Sequence, residues 1–181
     1  MINKIVSGVL ILFIVLVFYG ALKQVKKIDP KIKRLECQKQ TTTFERLNIQ
    51  NPASDAIVAF KNNNYILNTT IDYSTYMESH LKDVLTTSKA DIIFNESAKR
   101  FVSADKTEDD KVLIDYYIYE NDKKDPSKKG KKSKLYSGYI KLDFNYKNKI
   151  VYQIQTDYKD IDAKDLDQRI DCALQSFTSI N

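Results

Sequence analysis

The 181-residue sequence has no tryptophan, one histidine, two cysteines, four glycines and three prolines. His80, Cys37 and Cys172 are too few to supply the ligands of a zinc site. The glycines form no phosphate-binding loop, and the motifs G-x-S-x-G and H-E-x-x-H do not occur. We therefore predict neither an enzyme nor a cofactor-binding protein. We expect His80 to be half-buried, beside Met77 and Leu81 on one helix.

The sequence also lacks the residues that an EF-hand calcium site requires. A run of aspartates raises calcium as an alternative, but an EF-hand loop needs a glycine at its sharp turn and a glutamate at its end, and this run has neither. We interpret these carboxylates as residues that stabilise the start of a helix. They are Asp157, Asp160, Asp162, Asp165 and Asp167.

The net charge of +5 comes from two short segments. Residues 1–34 carry +6, residues 123–134 carry another +6, and the remainder is acidic at −7. Nucleic-acid-binding domains usually spread their basic residues over a folded face. We therefore expect no nucleic-acid partner.

The longest hydrophobic run is IVSGVLILFIVLVFYGAL at residues 5–22, after a short tail of residues 1–4. As a helix it is about 27 Å long, close to the ~30 Å hydrocarbon core of a bilayer. A cleaved signal peptide is the alternative, but Tyr19 is a poor residue at the position upstream of a cut after Ala21. We predict an uncleaved transmembrane signal anchor.

Two signals for orientation disagree. Six basic residues follow the span and only Lys4 precedes it, so the positive-inside rule predicts a cytoplasmic domain. The position of the span at the N-terminus and the cysteine pair favour export instead. We predict a single-pass inner-membrane protein with a periplasmic domain, and a cytoplasm-facing adaptor is the alternative.

The rest of the chain predicts a stalk over residues 23–54 and an α+β domain over residues 55–181. In the stalk, residues 28–44 form either a short helix or an extended segment. In the domain we predict an antiparallel sheet with two helices on one face. Period-two alternation is strongest at 112–119, 135–146 and 150–156, with Lys147 and Asn148 as a tight hairpin turn.

The remaining elements are predicted from shorter patterns. Strands are expected at 56–60, 65–71, 91–94 and 100–102, and a helix at 73–88. The clearest helix spans 162–180, with Asp162 and Asp165 in its first turn. Its apolar stripe comprises Leu166, Ile170, Ala173, Leu174 and Phe177.

Cys172 falls opposite that stripe and is therefore expected to face outward. An outward-facing cysteine needs a partner, and Cys37 is the only other one. We predict a Cys37–Cys172 disulfide that attaches the stalk to the last helix. Two unrelated thiols in a reducing compartment are the alternative.

Two groups of residues are candidates for partner binding. The lysine loop, residues 123–134, contains Lys128, Lys129, Lys131 and Lys132; it can dock on an acidic surface or on anionic lipid, or remain a solvated hairpin loop. Tyr117, Tyr119 and Tyr139 are expected on the wet face of the sheet, where tyrosine suits protein interfaces. Ordinary surface tyrosines are the alternative.

The order strand, helix, strands, helix over about residues 55–180, closing with KDLDQRIDCALQSF, resembles small envelope domains. These are the auxiliary lipoproteins of ABC-type lipid transporters and the lipopolysaccharide-assembly lipoprotein. The chain departs from them because it has no lipobox cysteine, and the resemblance assigns no functional residue.

These observations predict a non-catalytic, membrane-anchored periplasmic scaffold or assembly factor. Its partners would be other proteins of a bacterial envelope complex, such as a flagellar motor or secretion system. The alternative is an auxiliary subunit that binds a lipid or other ligand for a transporter.

Overall fold

The computed structural model describes residues 34–48, 50–51, 53–103 and 110–180. The predicted tail, the anchor at residues 5–22 and the first part of the stalk lie outside these residues. Within the described ranges, no helix is long and apolar enough to cross a membrane.

The described residues form an α+β domain, as predicted. The strands are β1 (Thr43–Leu47), β2 (Tyr65–Asp72), β3 (Val112–Glu120), β4 (Gly138–Tyr146) and β5 (Lys149–Tyr158). The helices are α1 (Ser54–Lys61), α2 (Leu81–Val84), α3 (Thr87–Ala98) and α4 (Leu166–Thr178). Short 3-10 helices span Glu36–Gln40 and Lys131–Lys134.

The five strands form one mixed sheet in the order β1-β5-β4-β3-β2. The prediction of an antiparallel sheet was wrong for one pair, since β2 and β3 are parallel. The chain between them carries α2 and α3 back along the sheet, and parallel neighbours require such a crossover. The prediction of two helices was also wrong, because α1, α3 and α4 all pack on the sheet.

One aromatic layer joins the three longer helices to the sheet. The Phe177 ring of α4 stacks on Phe144 of β4, with ring centroids 3.9 Å apart, and the Phe60 ring of α1 meets Phe177 edge-on. Phe94 of α3 contacts Tyr116 of β3. All five side chains are fully buried. The helices therefore cover a single face of the sheet.

The predicted strand at 56–60 was wrong, since these residues lie in α1. Ala56, Ile57, Ala59 and Phe60 are buried, a spacing that fits helical periodicity, and alanine is the best helix former. The helix ends where Asn63 adopts φ 57°. The N–H groups of Asn63 and Asn64 donate to the carbonyls of Phe60 and Ala59, a Schellman ending.

The predictions between residues 73 and 102 were also wrong. Residues 73–80 form no helix, and a helix begins only at Leu81, for four residues. The predicted strand at 91–94 lies inside α3, whose N-cap Thr86 accepts a hydrogen bond from the Lys89 N–H. The predicted strand at 100–102 is not a strand. His80 is exposed rather than half-buried.

The predictions based on long regular patterns were confirmed. In the hairpin between β4 and β5, Tyr146 pairs with Lys149, and Lys147 and Asn148 adopt φ 50° and 61° as a two-residue turn requires. The predicted stripe of α4, from Leu166 to Phe177, is buried. Asp162 lies before this helix rather than in its first turn.

The folded domain begins at Arg34, so the predicted stalk was wrong for its second half. β1 pairs with β5 at the sheet edge. The 3-10 helix that precedes β1 also packs on the domain. Its buried Gln38 donates to Glu45 of β1 at 3.1 Å and to Ser176 of α4 at 2.9 Å. Residues 34–48 are therefore part of the domain.

The predicted disulfide was confirmed: Cys37 and Cys172 are bonded, with Cα atoms 5.8 Å apart. Cys172 is only 5% exposed, so the expected outward position was wrong. The Glu36–Gln40 helix, joined to α4 by this bond, covers that side of α4.

Candidate binding surface on the open face of the sheet

The sheet face opposite α1, α3 and α4 is the open face, and on it side chains from adjacent strands form four rows. Its central residues are half-buried among one another rather than under a helix. From one end of the sheet to the other, the rows are Asp72, Tyr119, Tyr139 and Asp157; Thr70, Tyr117, Lys141, Gln155 and Phe44; Asn68, Asp115, Asp143, Gln153 and Arg46; Ile66, Leu113, Asn145 and Ile150.

The structure brings the three predicted tyrosines together. The ring centroid of Tyr139 lies 4.9 Å from that of Tyr119 and 6.0 Å from that of Tyr117, and we call these residues the tyrosine cluster. Tyr117 donates its hydroxyl to Asp72 at 2.8 Å. Burial raises the pKa of Tyr117, and the Asp72 carboxylate raises it further, so this phenol stays protonated. The cluster combines apolar ring area with hydroxyl groups.

A carboxylate pair lies beside the tyrosine cluster. Asp115 and Asp143 are direct cross-strand neighbours, an arrangement that is unfavourable for like charges. Hydrogen-bond donors stabilise both carboxylates: Asp115 accepts from Asn68 and Asn145 at 2.8 and 2.9 Å. Asp143 accepts from Lys141 at 2.7 Å and from Gln153 at 2.9 Å.

The open face is therefore aromatic and acidic. Its rows contain four aspartates but only two cationic residues, Lys141 and Arg46. The aspartates are Asp72, Asp115, Asp143 and Asp157. A shallow depression lies at the centre, lined by Thr70, Asp115, Tyr117, Tyr139, Lys141 and Asp143.

The predicted lysines do not act as one group. Lys128 donates to the Tyr119 hydroxyl at 2.6 Å and to the side chain of Asn121 at 2.7 Å, and its Nζ lies 5.0 Å from the Tyr119 ring centroid. It therefore supports the tyrosine cluster from the lysine loop. Lys129 and Lys131 are exposed. The side chain of Lys132 lies outside the described part of the structure.

Glu120 and Asp122 are structurally central residues that the sequence analysis missed. Glu120 is 2% exposed and accepts from the N–H groups of Ser74, His80 and Leu81. Asp122 accepts from the N–H groups of residues 75 and 76. Together the two carboxylates hold the segment 73–80 against the end of β3. The alternation of β3 predicts Glu120 on the buried face, which is a signal that could have found it.

The aspartates near α4 have a local structural role. Asp165 accepts from the N–H groups of Lys159 and Asp160 and forms an ion pair with Arg169 at 3.2 Å. Asp160 accepts from the N–H of Asp162 at 2.8 Å. Among the described residues, no group of three His, Cys, Asp or Glu side chains could hold a metal ion.

No protein-family model, curated protein or solved structure matches the chain.

Proposed function

We propose that the chain is a non-catalytic, membrane-anchored periplasmic protein that binds another envelope protein through its open face. It would act as a scaffold or assembly factor in an envelope complex such as a flagellar motor or secretion system. The apolar run at residues 5–22 supports the anchor, and the Cys37–Cys172 disulfide supports an oxidising compartment.

The tyrosine cluster is the observation that carries this proposal. Tyrosine is enriched at interface hot spots because a rigid ring gives contact area and its hydroxyl gives a hydrogen bond. Here three such rings lie side by side on a sheet face that the helices do not cover. The aspartates around them favour a partner surface with exposed Arg or Lys side chains, which also bind well over tyrosine rings.

The test replaces Tyr117 and Tyr139 together with threonine, which keeps β-propensity while removing both rings. A tagged full-length chain is extracted from its own cells in mild detergent, and its complexes are sized on native gels. We expect the large complex to be lost, with partner affinity reduced at least about tenfold. The matched control is Tyr76→Thr, since Tyr76 is 60% exposed and lies outside the cluster.

Two outcomes would contradict the proposal. One is a wild-type chain that migrates alone after gentle extraction. The other is a large complex that survives the double substitution unchanged while the variant remains folded, as shown by an intact disulfide and an unaltered melting temperature.

The alternative is an auxiliary subunit that binds a lipid or other amphiphile. The layer between helices and sheet is filled by aromatic side chains, including Phe60, Phe94 and Phe177, which leaves the outer surface as the place for such a ligand. An apolar groove does lie there, lined by Leu85, Ile92, Ile93 and Leu166 among others. Native mass spectrometry of the detergent-extracted chain, with Ile92→Asp beside the wild type, distinguishes the two functions, since only the alternative predicts a bound lipid that this change in the groove removes.

A further inference from the structure

The strand β2 forms one edge of the sheet, with β3 as its neighbour. Edge strands in soluble proteins usually protect themselves with lysine, proline, bulges or short length. β2 has eight residues, YILNTTID, with neither lysine nor proline, and its register with β3 is continuous. Its single charge is Asp72 at the end. The opposite edge, β1, is only five residues long and contains Glu45 and Arg46.

The register with β3 determines which backbone groups of β2 point outward. The Val112 N–H donates to the Asn64 carbonyl at 3.0 Å. Alternate residues of a parallel strand bond to the same neighbour. Ile66, Asn68 and Thr70 therefore bond to β3. The N–H and C=O groups of the intervening residues point away from the sheet; these residues are Tyr65, Leu67, Thr69 and Ile71.

The side chains of these intervening residues are fixed from the helix side. The Tyr65 hydroxyl donates to Asn95 at 2.7 Å, and the Thr69 hydroxyl donates to Asp91 at 2.5 Å, both on α3. α3 thus holds β2 through its side chains, and no other strand of the described residues pairs with its outward backbone edge. This arrangement gives a rigid, pre-formed template for another strand.

We propose that β2 pairs antiparallel with β2 of a second copy of the chain, joining the two five-stranded sheets across a two-fold axis. This inference does not depend on the partner of the open face.

The strand geometry selects one register for this pairing. Outward-pointing residues must oppose outward-pointing residues, so only every second alignment can form a ladder. Placing Tyr65 opposite Ile71 of the second copy, and Leu67 opposite Thr69, uses all four outward residues of each strand. That alignment gives about eight backbone hydrogen bonds. A shift of two residues towards Asp72 carries Tyr65 past the end of the partner strand and loses bonds.

Charge and side-chain matching favour a second copy in the same register. Asn68 faces its own equivalent at the two-fold axis, and Ile66 faces Thr70, a favourable β-branched pair. Asp72 lies opposite Asn64 of the second copy, so no carboxylate meets another. The strand is therefore complementary to itself in length, hydrogen bonding and charge.

The test is a cysteine cross-link at the two-fold axis. Asn68→Cys is introduced into the full-length chain, and its native membranes are treated with a mild oxidant. In the proposed register, residue 68 of one copy and residue 68 of the other form a non-hydrogen-bonded pair. The Cβ atoms of such a pair are close enough for a disulfide. We expect most of the chain to run at twice its 21.0 kDa mass on a non-reducing gel.

The matched control is Thr70→Cys on the same face of the same strand. In the proposed register the two introduced cysteines are four residues out of line, about 13 Å apart, and cannot bond. Adding Ile66→Cys to Thr70→Cys should restore the cross-link. Equal cross-linking at positions 68 and 70 would overturn the register and the proposal with it.

A second variant tests the dimer without a cross-link. Asn68→Lys places two lysines opposite each other at the axis, and we expect it to weaken self-association at least tenfold in sedimentation measurements in detergent. Val58→Lys adds the same charge at an exposed position of α1, outside both β2 and the open face, and should have no effect on self-association. The proposal would be refuted by a wild-type chain that stays monomeric at tens of micromolar. It would equally be refuted if the thiol introduced by Asn68→Cys bonded to a different protein.

Discussion

At the residue scale, Gly138 is required by lack of space rather than by an unusual backbone angle. It begins β4 between Glu120 of β3 and Tyr158 of β5. A Cβ at this position would overlap the Tyr119 carbonyl oxygen and the Tyr158 ring. Tyr158 cannot move away easily, because it is buried and donates its hydroxyl to that same carbonyl at 3.1 Å.

We therefore expect Gly138→Ala to lower the free energy of unfolding by about 2 kcal/mol, as overpacking does in rigid cores. Gly130→Ala is the matched control, because no atom lies within 4 Å of a Cβ there. It should change stability by less than about 0.5 kcal/mol. Urea denaturation of the full chain in detergent measures both. Equal effects of the two substitutions would show that the close approach at Gly138 is not a constraint.

Glu120 is the second residue whose chemistry is set by its surroundings. Burial alone would raise the pKa of this carboxyl. Hydrogen bonds from the Ser79 hydroxyl and from the N–H groups of Ser74, Leu81 and His80 outweigh burial and lower the pKa. The folded domain therefore prefers the ionised form, and the charge keeps the segment 73–80 in place.

A depressed pKa gives a stability contribution that is complete above the unfolded value of about 4.3 and is lost as the pH falls through the folded value. We expect Glu120→Gln to cost about 1–3 kcal/mol at pH 7. The difference from wild type should shrink when melting is measured below about pH 4. The control is Glu96→Gln on the exposed surface of α3. A pH-independent difference would contradict the ionic role of Glu120.

At the scale of elements, strands with period-two alternation were predictable from the sequence, while short apolar runs were not. In β3, the buried residues Val112, Ile114 and Tyr116 alternate with exposed or half-buried residues, and this pattern fits only a strand. The runs 56–60 and 91–94 have no such alternation. The first run has five apolar residues and the second has three, and runs this short are compatible with either a helix or a strand. Tertiary packing favours the helix in each case.

Only part of the candidate surface was predictable from the alternation within single strands. Alternation places Tyr117, Tyr119 and Tyr139 on one face, and that placement needs no tertiary information. The position of Lys128 depends on how the lysine loop folds back over Tyr119, which no local pattern encodes. Likewise, the hydrogen bonds from segment 73–80 to Glu120 join residues about forty positions apart.

At the scale of the whole molecule, the Cys37–Cys172 disulfide connects the start of the folded domain to its last helix. The bond closes a loop with a sequence separation of 135, so it restricts nearly the whole unfolded domain. The loop-closure model gives about 4–5 kcal/mol for such a span. Structural disulfides are common in oxidising compartments and rare in the cytosol.

The disulfide therefore offers a test of whether the domain lies in the periplasm or in the cytoplasm. Cys172→Ala leaves Cys37 as a single thiol on a half-exposed side chain. If the domain is periplasmic, a membrane-impermeant maleimide should label this variant in cells with a permeabilised outer membrane. Wild type should stay unlabelled there, because both of its thiols are oxidised.

Removing both cysteines provides the matching stability measurement. Cys37→Ala with Cys172→Ala should lower the free energy of unfolding by about 2–5 kcal/mol, and reducing the wild type should lower it by a similar amount. A cytoplasm-facing adaptor predicts the opposite labelling, with wild-type thiols that react only after lysis. That result would exclude a periplasmic partner for the open face, while leaving the pairing of β2 with a second copy unaffected, since that pairing depends on backbone hydrogen bonds and not on the compartment.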